Sequence, residues 1–149
     1  MIKFIVEQDP IAQPRPKARR IGPGIQIYTP NSGPIGLYKA AIREAFGQAV
    51  GEGFVPLEGP LRLSVYFVME RPQSRMKEDS RHIVKPDLDN LVKAVMDALN
   101  HVAWGDDSQI CELEVRKRWA DTLKGGASGR KTLSAGSYID VRLEALWET

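Results

Sequence analysis

Apolar residues recur along this chain with two different periods, and the switches between them mark out its elements. Ile2–Val6 is a short alternating apolar run that reads as a first strand. Leu61, Leu63, Val65, Phe67 and Met69 alternate with Arg62, Ser64 and Tyr66, the pattern of a strand buried on one side. Ile110–Trp119 and Tyr138–Leu146 read as further strands; in the second, Ile139, Val141 and Leu143 alternate with Asp140, Arg142 and Glu144. Elsewhere the period lengthens. Leu37–Val50 has helical spacing, with Leu37, Ala41, Ala45 and Ala49 on one stripe, Ile42 and Phe46 beside it, and Gly51 and Gly53 closing it. Leu88–Asn100 reads as a second helix that buries Leu91, Val92, Val95, Met96 and Leu99.

The intervening stretches are polar. Asp9–Gly36 is rich in proline, glycine and basic residues, and within it Ile25–Tyr28 has the make-up of a short strand. Pro14 and Pro16 keep Arg15 extended, because a residue before proline avoids the helical region. Residues 71–86 form a basic loop, Gly105–Ser108 a short turn, and Lys124–Gly136 a glycine-rich basic loop. The order strand, helix, strand, helix, strand, strand predicts an α+β fold, a mixed β-sheet with two main helices on one face. At 149 residues the chain fits one domain, 1–149, with enough material for a core.

Composition narrows the classes. No run approaches the length of a membrane-spanning helix, and Met1–Glu7 lacks the long apolar region of a signal peptide. Cys111 is the only cysteine, so an internal disulfide and a thiolate zinc cluster are excluded, and a cytoplasmic location is expected. The net charge of +2 says little, but its distribution says more. Residues 13–20, 71–85 and 116–131 hold 15 of the 21 basic residues and only Glu78, Asp79 and Asp121 among the acids. That segregation suits a polyanionic partner; plain solvated loops are the alternative.

The chemistry concentrates in Lys85-Pro86-Asp87-Leu88-Asp89-Asn90-Leu91-Val92-Lys93, followed by Trp104-Gly105-Asp106-Asp107-Ser108-Gln109. Asp87 and Asp89 project from one side of a helix start, with Leu88 turned toward the core. Two carboxylates so close repel unless a cation lies between them or one is protonated, and Mg²⁺ suits such oxygen donors. Asp107 is expected near them if the chain doubles back along the helix. Lys93 lies one turn after Asp89, where it can reach a phosphate or leaving oxygen, and Asp97 one turn further either orients Lys93 or is a solvated acid. Plainer readings stand beside these. Asp87 as a helix cap, Asp89 on the helix dipole, Asp106-Asp107 as an ordinary turn and Lys93 as an i,i+4 partner of Asp89 each need no chemistry.

Taken together, Pro86-Asp87-Leu88-Asp89-Asn90-Leu91, Lys93-Ala94, Asp97-Ala98-Leu99 and Trp104-Gly105-Asp106-Asp107-Ser108-Gln109 resemble the RusA family of Holliday junction resolvases. The likeness runs from about residue 10 to 118. It extends to the family's phage-borne branch through Pro14-Arg15-Pro16-Lys17-Ala18-Arg19-Arg20 and Tyr28-Thr29-Pro30. The resemblance implies metal ligands at Asp87, Asp89 and Asp107 and a catalytic lysine at Lys93. It further implies a homodimer, dependence on Mg²⁺ with Mn²⁺ substituting, no organic cofactor, and paired nicks across four-way or other branched DNA. Asp106 matches a recurrent acid without an assigned role, and the 121–137 loop is longer than the family leads one to expect. Arg15, Lys17, Arg19, Arg20, Arg75, Lys77, Arg81 and Lys85 are expected to meet the DNA backbone.

Two other classes compete. A phosphatase with an Asp-x-Asp nucleophile normally places that motif after an apolar strand, whereas Arg81-His82-Ile83-Val84-Lys85-Pro86 precedes it here. A non-catalytic binder of branched DNA would use the acids structurally. His82 and His101 read as surface or loop residues, Trp104 and Trp119 as packing near the sheet edge, and Tyr28 as a DNA contact beside the basic arm.

Overall fold

The computed structural model describes residues 1–29, 32–125 and 131–147. Four strands make a mixed sheet: β1 (Ile2–Val6), β4 (Leu61–Met69), β5 (Ile110–Trp119) and β8 (Tyr138–Ala145), in the spatial order β1-β8-β4-β5. β8 is antiparallel to both neighbours, while β4 and β5 run parallel and are joined by a crossover through helix α2 (Leu88–Leu99). The same-face residues Leu61, Leu63, Val65 and Phe67 are fully buried, as their alternation predicts, and pack with Ile139, Val141 and Leu143 of β8. The opposite face is polar: Arg62 bonds Glu112 and Glu144, and Tyr66 bonds Glu114. Helix α1 (Ser32–Val50) and α2 cover the apolar face, which makes the fold α+β with both helices on one side.

Several expectations shift. α1 begins at Ser32 rather than Leu37, and its buried stripe is Ile35, Tyr38, Ile42 and Phe46. Leu37, placed on that stripe from its spacing, is 77% exposed, because the bulkier residues one position round take the core and leave the alanines at its margin. In α2 the expected Leu91, Val92, Val95 and Leu99 are buried, joined by Ala94 and Ala98, with Met96 half-buried.

The Asp9–Gly36 segment holds more order than its composition suggests. β2 (Lys17–Ile21) pairs with β3 (Gly24–Tyr28) in a hairpin exposed along both strands. The Lys124–Gly136 loop is likewise entered and left by a second hairpin, β6 (Thr122–Gly125) with β7 (Lys131–Ser134). Residues 126–130 of that loop, and Pro30 of the Tyr-Thr-Pro motif, lie outside the described residues. No helix is long and apolar enough to cross a membrane among the described residues.

Candidate active site

The parallel β4–α2–β5 crossover decides where each acid goes. α2 descends antiparallel to β5, so the loop ahead of it meets the end of β5, and the turn after it meets the start.

Asp87 is the cap residue of α2, with an extended backbone, yet its side chain makes no capping hydrogen bond. Both of its oxygens accept instead from Lys85 Nζ, at 2.8 and 2.6 Å. The Lys85 ammonium holds the Asp87 carboxyl below the usual carboxylate range, helped by the charges of Arg15 and Lys117 and opposed by desolvation. Asp89, in the first turn, is 74% exposed with Arg15 Nη2 at 3.6 Å from Oδ2. Arg15 also reaches the Asn90 amide, and the Gln13 N–H donates to the Asn90 carbonyl at 2.9 Å, so the basic strap is tied to this helix start. Leu88, between the two acids, packs on the core as expected.

Lys117 fixes this loop from below. Its Nζ donates to the carbonyls of Val84 and Pro86, each at 2.8 Å. Partial burial pushes its ammonium below the ordinary lysine range, with the nearby Asp87 pulling the other way. Sequence reasoning missed Lys117, although a signal existed: Leu63 pairs with Leu113, Val65 with Val115 and Phe67 with Lys117, so it is a charge in an inward register.

Lys93 is exposed and pairs with Asp97 at 3.6 Å, not with Asp89. Asp97 is shared with Lys39 of α1, at 3.8 Å, so it joins the two helices as well as steering Lys93.

Asp107 stands at the other end. The 3₁₀ turn Asp107–Gln109 follows Asp106, whose side chain accepts from Ser108 N–H at 3.0 Å and completes a capping box with Gln109. That bond lowers the Asp106 pKa, which gives this acid the structural role the sequence left open. Gln109 Oε1 accepts from the N–H groups of Gly105 and Asp106, and its Nε2 donates to the carbonyls of Leu57 and Gly59. A Cβ on Gly105 would sit 3.1 Å from Gln109 Oε1, so the turn closes best on glycine. Trp104, fully buried, donates Nε1–H to Asp107 Oδ1 at 2.9 Å, which bears out its reading as a packing residue.

Within one chain the three aspartates are therefore not together. From Ile110 to Lys117 the strand rises about 23 Å, and α2 spans about 17 Å in the opposite sense. The expected doubling back does occur, but Asp107 precedes β5, so the chain has not yet returned to the Asp87 end. Among the described residues no group of three His, Cys, Asp or Glu side chains is gathered closely enough to hold a metal ion. In donor chemistry Asp87 and Asp89 fit a hard divalent cation, and the cations of Lys85 and Arg15 already lie against them.

The other basic residues divide by contact. Lys17, Arg19 and Arg20 stand exposed on the β2–β3 hairpin, with Arg19 bonded to Gln26 and 5.2 Å over the Tyr28 ring. Lys77 is exposed, Arg81 pairs with Asp79, and Arg75 pairs with Glu78 and lies over Trp119. Arg71, buried, ties the loop through the carbonyls of Ala120 and Glu78. His82 corrects the surface half of its reading, though it does lie in the loop: it is 5% exposed and packs at a tilt of 52° against buried Trp119, with ring centroids 4.1 Å apart. His101 does sit in an exposed turn. A cleft of about 530 Å³ opens beside the loop, lined by Arg71, His82, Lys85 and Trp119, and none of the three aspartates borders it.

Paired carboxylates ringed by lysine and arginine on an α+β scaffold have the make-up of a phosphodiester hydrolase acting on nucleic acid. The chain belongs to the RusA endodeoxyribonuclease family, whose model, described as Endodeoxyribonuclease RusA, matches residues 7–125. It is also 32% identical, over 130 residues, to an uncharacterized protein, YqaN, of Bacillus subtilis (strain 168). That match takes in 80% of this chain and 89% of the relative.

Proposed function

We propose that this chain is a metal-dependent endodeoxyribonuclease that resolves four-way DNA junctions by paired symmetric nicks, leaving 5′-phosphate and 3′-hydroxyl ends. The observation that carries the reading is Asp87. A carboxylate at a helix cap position that leaves the helix uncapped, and turns outward beside Asp89 into a field of cations, is poorly explained by stability.

Asp87 and Asp89 are the carboxylates that would hold Mg²⁺, with Mn²⁺ substituting; Asp107, assigned with them from the family resemblance, lies at the other end of β5 within one chain. When bound, the ion polarises the phosphoryl oxygen and acidifies water at the scissile phosphate. The chain's own groups supply the rest. Lys93, exposed one turn beyond Asp89, offsets charge on the leaving oxygen, and Asp97 limits its reach. Arg15 and Lys85, which now neutralise Asp89 and Asp87, are free to move to phosphate when metal takes over that task. Lys17, Arg19, Arg20, Arg75, Lys77 and Arg81 engage the backbone without reading bases. Two identical sites in a homodimer match the two-fold symmetry of a junction.

The test is cleavage of a labelled mobile four-way junction, with linear duplex and flap controls, in Mg²⁺ and in EDTA. Ligatable paired nicks confined to the junction and to metal are expected. Tight junction binding with no cutting in Mg²⁺ or Mn²⁺ would convert the protein into a binding module.

A further inference from the structure

We infer that the β2–β3 hairpin is an arm for the branch point of DNA: its cations hold phosphates, while Ile25 and Ile27 wedge against the bases at the crossover. The inference rests on the reading just proposed, in which the substrate is branched DNA. The arm is rooted at the candidate site. Just ahead of Lys17, Arg15 lies 3.6 Å from Asp89, and Gln13 N–H donates to the Asn90 carbonyl at 2.9 Å. A five-residue strand reaches about 17 Å, or about five base steps along a DNA strand. A phosphate held at Asp87 and Asp89 therefore leaves the neighbouring bases within the arm's length.

The pairing register sorts the arm into two faces. Lys17 lies across from Tyr28 and Arg19 across from Gln26, so one face is cationic and aromatic. Ala18 lies across from Ile27 and Arg20 across from Ile25, so the other face carries two isoleucines beside one arginine. Ile25 is 75% and Ile27 74% exposed, and neither belongs to the core. Strand preference accounts for a β-branched residue at each position, but threonine would meet it in a solvated ribbon. Isoleucine adds apolar surface that water disfavours and that the face of a base would cover. It is also among the side chains that enter between base steps and unstack them. Unstacking costs least where a duplex is already interrupted, which places the wedge at a branch point rather than along an arm of the DNA.

Charge selects DNA over other covers for this apolar ribbon. No acid occurs between Asp9 and Glu44, a stretch that holds Arg15, Lys17, Arg19 and Arg20. Arg19 donates to Gln26 Oε1 at 2.8 Å and lies 5.2 Å over the Tyr28 ring, which keeps a cation on the face away from the isoleucines. Two such hairpins set face to face would bring like charges together, so a second copy is a poor cover. An anionic lipid surface gives no reason for the arm to be strapped to Asp89 and Asn90, whereas a phosphodiester held there does.

Fluorescence of the bases at the crossover tests this. Ile25→Thr with Ile27→Thr keeps both positions β-branched and alters only exposed side chains, so the fold should be kept, and circular dichroism and Tm check it. Four-way junctions carrying 2-aminopurine at the branch point, or within one arm, are bound in EDTA so that no strand is cut. The wild type should raise the fluorescence severalfold at the branch point and not within the arm. The isoleucine variant should lose most of that rise and bind the junction about tenfold more weakly, while its affinity for linear duplex stays close to that of the wild type. Lys17→Ala with Arg19→Ala should instead weaken junction and duplex alike and flatten the salt dependence. Undiminished branch-point fluorescence in the isoleucine variant would overturn the wedge, as would equal losses on junction and duplex. Self-association, or binding to phosphatidylglycerol vesicles, that needs the isoleucines when branch-point opening does not would overturn it too. A wild type that binds the junction but leaves the fluorescence flat removes the arm alone. A wild type that binds no junction removes the reading on which the arm rests.

Discussion

At its first turn α2 presents Asp87 and Asp89 to cations and solvent. Past its last turn the chain fixes Asp106 and Asp107 in a bracket of hydrogen bonds around a buried tryptophan. The residue type is the same and the local demand is opposite. At the second end the acids satisfy N–H groups that the turn and Trp104 would otherwise leave unpaired, so they contribute to stability as well as to any chemistry. At the first end only Asp89 meets a backbone donor, the Asn90 N–H at 2.9 Å, while Asp87 caps nothing and is balanced by the charges of Lys85, Arg15 and Lys117. A fold tolerates that arrangement most readily where another cation is meant to enter.

Substitutions should separate the two ends. The largest effect is expected at the first: Asp87→Ala or Asp89→Ala should slow junction nicking by about a thousandfold or more, since without the ligand the metal's contribution is lost. Junction binding and melting temperature should hardly change, and a calorimetric scan beside a gel assay reads both. At the second end Gln109→Ala removes four hydrogen bonds and should lower Tm by roughly 5–15 °C. If Gln109→Ala left Tm unchanged, the bracket would not be the stabilising element assigned here.

Lys117→Met lies between these extremes. It frees the carbonyls of Val84 and Pro86, at a cost of about 1–3 kcal/mol by chemical denaturation, and loosens the loop that ends in Asp87. Nicking should slow even at temperatures where the fold is intact, and Lys117→Arg should recover part of the loss. Equal rates for Lys117→Met and wild type would remove Lys117 from the positioning of Asp87.

The smallest effect concerns His82. Burial against Trp119, then the charges of Lys117 and Arg75, hold its folded pKa below the ordinary value of about 6.5. The unfolded chain therefore takes up this proton first as pH falls. Stability from neutral His82 is fully present above about pH 6.5 and declines below it, down to the depressed folded pKa. Urea midpoints between pH 7 and 5 should fall less steeply in His82→Gln than in wild type.

Much of this was legible in the sequence because burial leaves periodic traces. Leu61–Met69 and Leu88–Leu99 declared themselves by alternation and by helical spacing. Of the β2–β3 hairpin only the second strand did, through Ile25–Tyr28; β2 went unread, because its side chains are all exposed and no buried face enforces a period. The motif around Asp87 and Asp89 pointed to the pair of acids proposed for the metal, but the sequence carries no measure of where a crossover helix leaves the chain. Asp107 looked near because it follows a short reversal, whereas β5 must still run its length before the chain returns to Asp87. Lys117 and His82 were missed for a related reason: each draws its role from a loop that long-range pairing brings over it.

Calorimetric titration of Mn²⁺ into the wild type and into Asp87→Ala, without DNA, tests the central claim most directly. The account predicts saturable binding by the wild type that is lost in the variant while its circular dichroism stays the same. Equal binding by both proteins would contradict it, because the carboxylates at the start of α2 would then not be the metal's ligands.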